Sequence, residues 1–220
     1  MTENDNPDYK KVAEENPHLD PSKPYPLQGV LVVDLTRVLS GPTCTRMLAD
    51  AGARVIHVER PPKGDDTRSM GPYVSDGSSD YFRIANVGKE SIALDFKDPA
   101  DHNFLMKMIS KADVVVENFR PGVMAKNGLD PDDLVKKFPR LIVCSISGFG
   151  QWGPMSQAAA YDTVIQAWSG LMDLTGQPKD EGGLPTRVGT SISDIVAGIH
   201  GYPELLRLFM RGKKRERELL

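Results

Sequence analysis

Cysteine is nearly absent: Cys44 and Cys144 are the only two in 220 residues, each inside an apolar segment. Neither has a second Cys or a His at ligand spacing, so a disulfide-stapled scaffold is excluded and two reduced, packed thiols are expected. No H-E-x-x-H, C-x-x-C or G-x-x-x-x-G-K-[ST] pattern occurs, and the four histidines (His18, His57, His102, His200) are scattered over unrelated segments. The sequence therefore predicts no metal and no P-loop chemistry. A long hydrophobic run is missing too, since no window approaches the ~18 apolar residues of a membrane span. The N-terminus opens on Thr-Glu-Asn-Asp in place of a basic-then-apolar leader, so no membrane partner and a cytoplasmic location are expected. With 27 basic against 30 acidic residues there is no charge excess to recruit nucleic acid.

What is present is apolar residue in the right amount and period. The 220 residues suffice for one sizeable α/β core, or for one core with an appendage, and 40% apolar content is normal for a globular protein. Its organising stretch is residues 29–68: an apolar run (Val30 to Leu35), a Ser-Gly-Pro break, a helical pattern (Cys44, Met47, Leu48, Ala51), a Gly52 stop and a second apolar run (Val55 to Val58). Strand, helix and parallel strand follow from this, the strands being covered on both faces. Further strands are predicted over Glu90 to Phe96, Asp113 to Phe119 and Leu141 to Ile146, with helices over Ala100 to Lys111 and Pro131 to Phe138 between them. The alternation predicts an α/β fold with a doubly wound, mainly parallel, Rossmann-like sheet flanked by helices.

Around this core, residues 1–28 are acidic and then proline-rich, and read as a mobile N-terminal arm. Residues 29–202 form the domain, and residues 203–220, ending in RGKKRERELL, read as a basic C-terminal tail. A single helix is predicted from Tyr161 to Leu174, closed by Gly176, and a last one from about Ser193, broken or kinked at Pro203.

Polar residues wait at the carboxyl ends of successive strands, where open α/β sheets bind ligands. Arg60, Lys97, Asn118, Arg120 and, one turn on, Lys126 offer cationic and amide donors suited to a phosphate-bearing ligand. The turn after the first strand (Arg37 to Pro42) lacks the G-x-G-x-x-G fingerprint, which argues against a dinucleotide there. Among the acids, Asp194 stands at the start of an apolar helix, where helix-end N–H groups and the dipole are expected to keep it ionised. A plain N-cap role explains that position equally well. Asp162, behind Tyr161, is a second candidate of the same kind.

These residues sit in six blocks: PLQGVLVVDLTRVLSGPTCTRMLADAGARVIHVERPPKGDDTR, KESIALDFKDP, ADVVVENFRPGVMAKNGL, PRLIVCSISGFGQWGP, YDTVIQAWSGLMDLTG and VGTSISDIVAGIHG. In order and spacing they resemble the N-terminal half of the class III CoA-transferases, a family that includes the α-methylacyl-CoA racemases. The flavour is that of the dicarboxylate-using branch with succinate–hydroxymethylglutarate CoA-transferase. The resemblance covers roughly residues 26–202.

The resemblance implies coenzyme A and acyl-CoA as substrates, a carboxylic acid as acceptor, and Asp194 as the nucleophile that forms an aspartyl mixed anhydride. It also implies CoA contacts at Leu39, Ser40, Arg60, Leu94, Asp95, Phe96, Lys97, Asn118, Phe119, Arg120, Lys126, Ala158, Ala159, Ala160 and Tyr161. Lys126 replaces an arginine of some members. Leu39 stands where the oxalate enzymes have a glutamine, which argues against oxalate as acceptor. Family chains are about twice as long, form interlocked dimers and supply a Gly-rich loop from a part that this chain does not contain. A homodimer, or a site completed by another chain, is thus expected. Two alternatives remain: a catalytically incomplete CoA-binding protein, and a racemase-type isomerase using Asp162. Racemases of the family pair that aspartate with an upstream histidine, and none lies between His102 and Asp162.

Overall fold

The computed structural model describes residues 18–20 and 22–218; most of the predicted arm lies outside the described residues. Five strands, β1 (Leu31–Asp34), β2 (Arg54–Glu59), β3 (Glu90–Ala93), β4 (Val114–Glu117) and β5 (Ile142–Ser145), form one sheet in the order β3-β2-β1-β4-β5. Every pairing is parallel. The chain winds outward from β1 through β2 to β3, then returns across the centre to β4 and β5. This is the doubly wound α/β topology expected from the alternating pattern.

Eight helices are described: α1 (Ser40–Asp50), α2 (Asp80–Asn86), α3 (Pro99–Ile109), α4 (Val123–Lys126), α5 (Pro131–Lys137), α6 (Asp162–Trp168), α7 (Leu171–Thr175) and α8 (Ile192–Glu218). Strand alternation divides the core between the two sheet faces. Val33 and Val115 join Leu105, Ile109, Leu129 and Leu134 on one side. Val32, Val55, Val114 and Val116 join Cys44, Leu48 and Leu205 on the other. Central strands thus bury both faces, which is why they read as continuous apolar runs. Cys44 and Cys144 belong to the second cluster, and both are free thiols.

Helix starts follow local chemistry. Asp98 accepts hydrogen bonds from the backbone N–H groups of Ala100 and Asp101, with Pro99 at the first helical position. Asp130 and Pro131 repeat that arrangement for α5. Both are the Asp-Pro helix start that propensity favours.

Two expectations about helices are corrected, and one helix lies where none was predicted. The helix predicted from Tyr161 to Leu174 is two helices, because Gly170 adopts φ 79° and ends the first. Pro203 does not break the last helix, which runs from Ile192 to Glu218 through it. The residues before Glu90 contain α2, opened by Ser79, whose hydroxyl accepts from the N–H of Phe82. In the segment read as an arm, Leu27 is buried and its N–H donates to the carbonyl of Ala51.

Helix α8 crosses α1 at close range. A Cβ at Gly198 would lie 2.4 Å from the Ser40 carbonyl oxygen and 2.7 Å from the Thr43 Cβ, and one at Gly201 3.1 Å from the Cys44 Sγ. Glycine at these two positions lets the helix carrying Asp194 lie against the start of the helix that follows β1.

Candidate functional site

Two adjoining clefts open at the carboxyl ends of the strands. The first, about 200 Å³, lies over β1, β2 and β3; the second, about 420 Å³, lies over β1, β4 and β5 and reaches α8. Arg37, Phe119 and Val123 line both, so the two form one continuous groove. It lies where the strand order reverses between β1 and β4, the position at which doubly wound sheets hold ligands.

The groove gathers most of the residues expected to bind CoA. Arg60, Leu94, Asp95, Phe96 and Lys97 line the first cleft. Leu39, Ser40, Asn118, Arg120, Ala160 and Tyr161 line the second, together with Asp194. Phe119 belongs to both. Lys126, Ala158 and Ala159 fall outside the two linings, Lys126 as the last residue of α4. A Cβ on Gly148 would meet that of Ala160 at 2.0 Å, so this close approach seats the Ala158 to Tyr161 segment against the end of β5. A G-x-G-x-x-G string does occur at 148–153, but no helix begins until Asp162, so the helix-end phosphate cradle of that fingerprint is not formed.

The turn after β1 is held from three sides. Asn118 accepts from the N–H of Arg37 at 2.8 Å and donates to the Arg37 carbonyl at 2.8 Å and the Ser40 hydroxyl at 3.1 Å. Val38 adopts φ 65°, an outlier for a β-branched residue, and its N–H donates to the Asp65 carboxylate at 3.0 Å. Such strain persists only where surrounding contacts over-determine it.

Beneath the turn lies a buried polar hub that the sequence reading missed. Asp34 accepts from the Thr36 N–H and hydroxyl, from Thr45 at 2.6 Å and from the Lys89 Nζ at 3.0 Å. Lys89 also donates to the Pro42 carbonyl and to Asn86. Burial works to raise the Asp34 pKa, but Lys89, His57 and Thr36 outweigh it and hold the group well below the usual carboxylate range. His57 lies between Asp34 (3.3 Å) and Asp65 (3.9 Å). The signal was there: a charged residue and a histidine inside apolar strands, each at the carboxyl half.

Glu59, directly before Arg60, fixes the loop over the first cleft. It accepts from the Asp65 N–H at 2.8 Å and from Arg68 through two bonds of 2.6 Å. Burial works to raise its pKa, but Arg68 and Ser91 outweigh it and bring the group down to about 2. The Arg68 guanidinium in turn lies 3.7 Å from the centre of the Phe82 ring.

Around Asp194 the helix end is organised by other residues. The Ser193 N–H donates to Asp162 at 2.8 Å, so Asp162 supplies the cap. Gln166 donates to Asp162 at 2.6 Å and to the Thr190 carbonyl, and accepts from the Val188 N–H at 2.8 Å. The 188–193 segment is thereby bracketed, and Asp194 stands in the first turn of α8 as part of the lining of the second cleft. The helix end does not make Asp194 a stronger acid than usual, although the group still ionises below neutral pH. Burial and then the Asp162 charge push its pKa up to about 6. Tyr81, also missed by sequence reasoning, is near enough that Asp194 adds to burial in raising the Tyr81 pKa. Among the described residues no group of three His, Cys, Asp or Glu side chains is placed to hold a metal ion, and no helix is long and apolar enough to cross a membrane.

Residues 27–215 match the family model described as CoA-transferase family III. The chain belongs to this family. It is 54% identical over 181 residues to an acetyl-CoA:oxalate CoA-transferase from Acetobacter aceti, covering 81% of this chain and 46% of that protein. It is 45% identical to a succinyl-CoA:glutarate CoA-transferase from Mus musculus, covering 86% of this chain and 43% of that one. Among solved structures, a CAIB/BAIF family protein from Brucella suis matches with a TM-score of 0.81 at 41% identity, over 87% of this chain and 51% of that chain. The chain thus spans about half the length of the family III relatives it matches.

Proposed function

We propose that this chain carries the CoA cradle and the nucleophile of an acyl-CoA:dicarboxylate CoA-transferase. The observation behind this reading is Asp194, a partly buried carboxylate with a pKa near 6 that shares a cleft with the β1 turn and the Asn118 to Arg120 segment. Perturbed acids in such clefts are the usual sign of chemistry. In the proposed cycle an Asp194 oxygen attacks the thioester carbon, and the CoA thiolate leaves to give an acyl–aspartyl anhydride. The thiolate then attacks the aspartyl carbonyl, releasing the donor acid and forming an aspartyl thioester. The acceptor carboxylate displaces CoA from that thioester, and CoA finally attacks the acceptor's carbonyl to regenerate Asp194. Burial favours this sequence because a poorly solvated carboxylate is a better nucleophile than one fully hydrated.

Arg60 and Lys97 lie at the end of the groove suited to the phosphate-bearing half of CoA, and Phe96 and Phe119 add apolar surface. The oxalate and glutarate in the names of the relatives support a dicarboxylate acceptor. That an oxalate enzyme is 54% identical weakens the case against oxalate made from Leu39. A cytoplasmic homodimer, or completion of the site by a further chain, remains part of the proposal. The racemase alternative has less support, since both oxygens of Asp162 are engaged by Gln166 and the Ser193 N–H. The test is to supply succinyl-CoA and glutarate and follow glutaryl-CoA by mass spectrometry. Product that disappears in Asp194→Ala is expected. Solvent deuterium entering the acyl α-carbon without transfer would sink the proposal in favour of isomerisation.

A further inference from the structure

The cleft that holds Asp194 contains four charged side chains: Arg37, Asp66, Arg120 and Asp194. Arg120 lies in the segment assigned above to CoA, which leaves Arg37 as a cation without a role. Its backbone is immobilised by the two bonds to Asn118 and by the strained Val38 that follows. Its side chain is not. The guanidinium rests on Asp66 at 2.5 Å, in a pair whose side chains are 41% and 56% exposed. An exposed pair of this kind contributes little to stability, so exchanging its partner costs little.

A dicarboxylate acceptor presents a problem that this residue solves. One carboxylate reacts at Asp194, while the other keeps its charge and must leave water when it enters the groove. A lone carboxylate in such a place is disfavoured unless a cation meets it, and a guanidinium meets it with two parallel hydrogen bonds. We infer that Arg37 is the receptor for the remote carboxylate of the acceptor, parked on Asp66 until the acid arrives. The inference rests on the transferase reading for its substrate class and adds the residue that selects it. Asp66, on an exposed 3-10 turn, returns to solvent when displaced.

The experiment is calorimetric titration of the whole chain, with CoA present, using glutarate and its monoacid counterpart valerate. Glutarate is expected to bind more tightly than valerate, and Arg37→Ala to weaken glutarate at least ~10-fold while leaving valerate unchanged. Arg37→Lys, which keeps the charge but loses the fork, should fall between. Asp66→Asn should preserve or strengthen glutarate binding. The assignment is overturned if the wild type does not prefer glutarate, if Arg37→Ala affects both acids alike or neither, or if it weakens only CoA. Should the Arg37-dependent preference be present in a protein that makes no glutaryl-CoA, the assignment stands and the transferase reading falls.

Discussion

Asp194 is held in a form that costs stability. Its pKa of about 6 lies above the 3.8 of an unperturbed aspartate, so ionisation is penalised in the folded state. For a carboxylate raised in this way the penalty is absent below the unfolded pKa, grows between about pH 4 and pH 6, and is full above. Two units correspond to ~3 kcal/mol, which solvent screening at a partly exposed group reduces to ~1–2 kcal/mol. Asp194→Asn is therefore expected to abolish transfer yet raise the neutral-pH unfolding free energy by that amount, checked by urea denaturation at pH 7.5 and repeated at pH 4, where the gain should shrink. The rate of the wild type should fall as pH drops through about 6, because the protonated acid is not a nucleophile. Burial also works against the charge of Lys89 and lowers its pKa, but here the charge has a buried partner. Its removal strands the Asp34 carboxylate, which is fully buried. Lys89→Met is expected to destabilise by ~3–5 kcal/mol, measured by the same denaturation series. Periodicity read Asp34 and His57 as interior strand positions and could say nothing of their partners, because Lys89 and Asp65 are brought to them by loops that carry no period.

At the scale of elements, the strands and capped helices were legible because local rules set them: branched apolar runs for β1, β2 and β4, and Asp-Pro starts for α3 and α5. Rules of that kind failed where tertiary packing decided. Pro203 lies inside a helix of 27 residues, and the cap of α8 comes from Asp162 on another helix, 31 positions earlier than Ser193. The crossing of α8 over α1 is what brings Asp194, the proposed nucleophile, to the proposed CoA cradle. Gly198, one turn beyond Asp194, is expected to tolerate no side chain there. Gly198→Ala places a methyl 2.4 Å from the Ser40 carbonyl oxygen, backbone that does not yield easily. A cost of ~1–3 kcal/mol and a loss of transfer larger than the loss of CoA affinity are expected, since α8 moves while the β1, β2 and β4 ends remain. Thermal melts and separate CoA titrations distinguish the two effects.

Over the whole molecule, the sheet places most of the residues proposed to meet CoA along one groove, across strand ends ordered β3-β2-β1-β4-β5. The groove could be anticipated from strand ends, and twelve of the fifteen CoA positions implied by resemblance line it; Lys126, Ala158 and Ala159 do not. The electrostatics could not, because burial sets the acidity of Asp194 and burial is a property of the assembled fold. If the groove holds CoA, Arg60→Ala should weaken CoA about 10-fold without moving the pH dependence of Asp194, read by titration calorimetry. The most direct test of the central claim is to expose the protein to succinyl-CoA, quench with hydroxylamine and map the modified residue by mass spectrometry. A hydroxamate at Asp194, lost in Asp194→Asn, is the expected result. Tight succinyl-CoA binding with Asp194 unmodified, or capture at a different carboxylate, would contradict it.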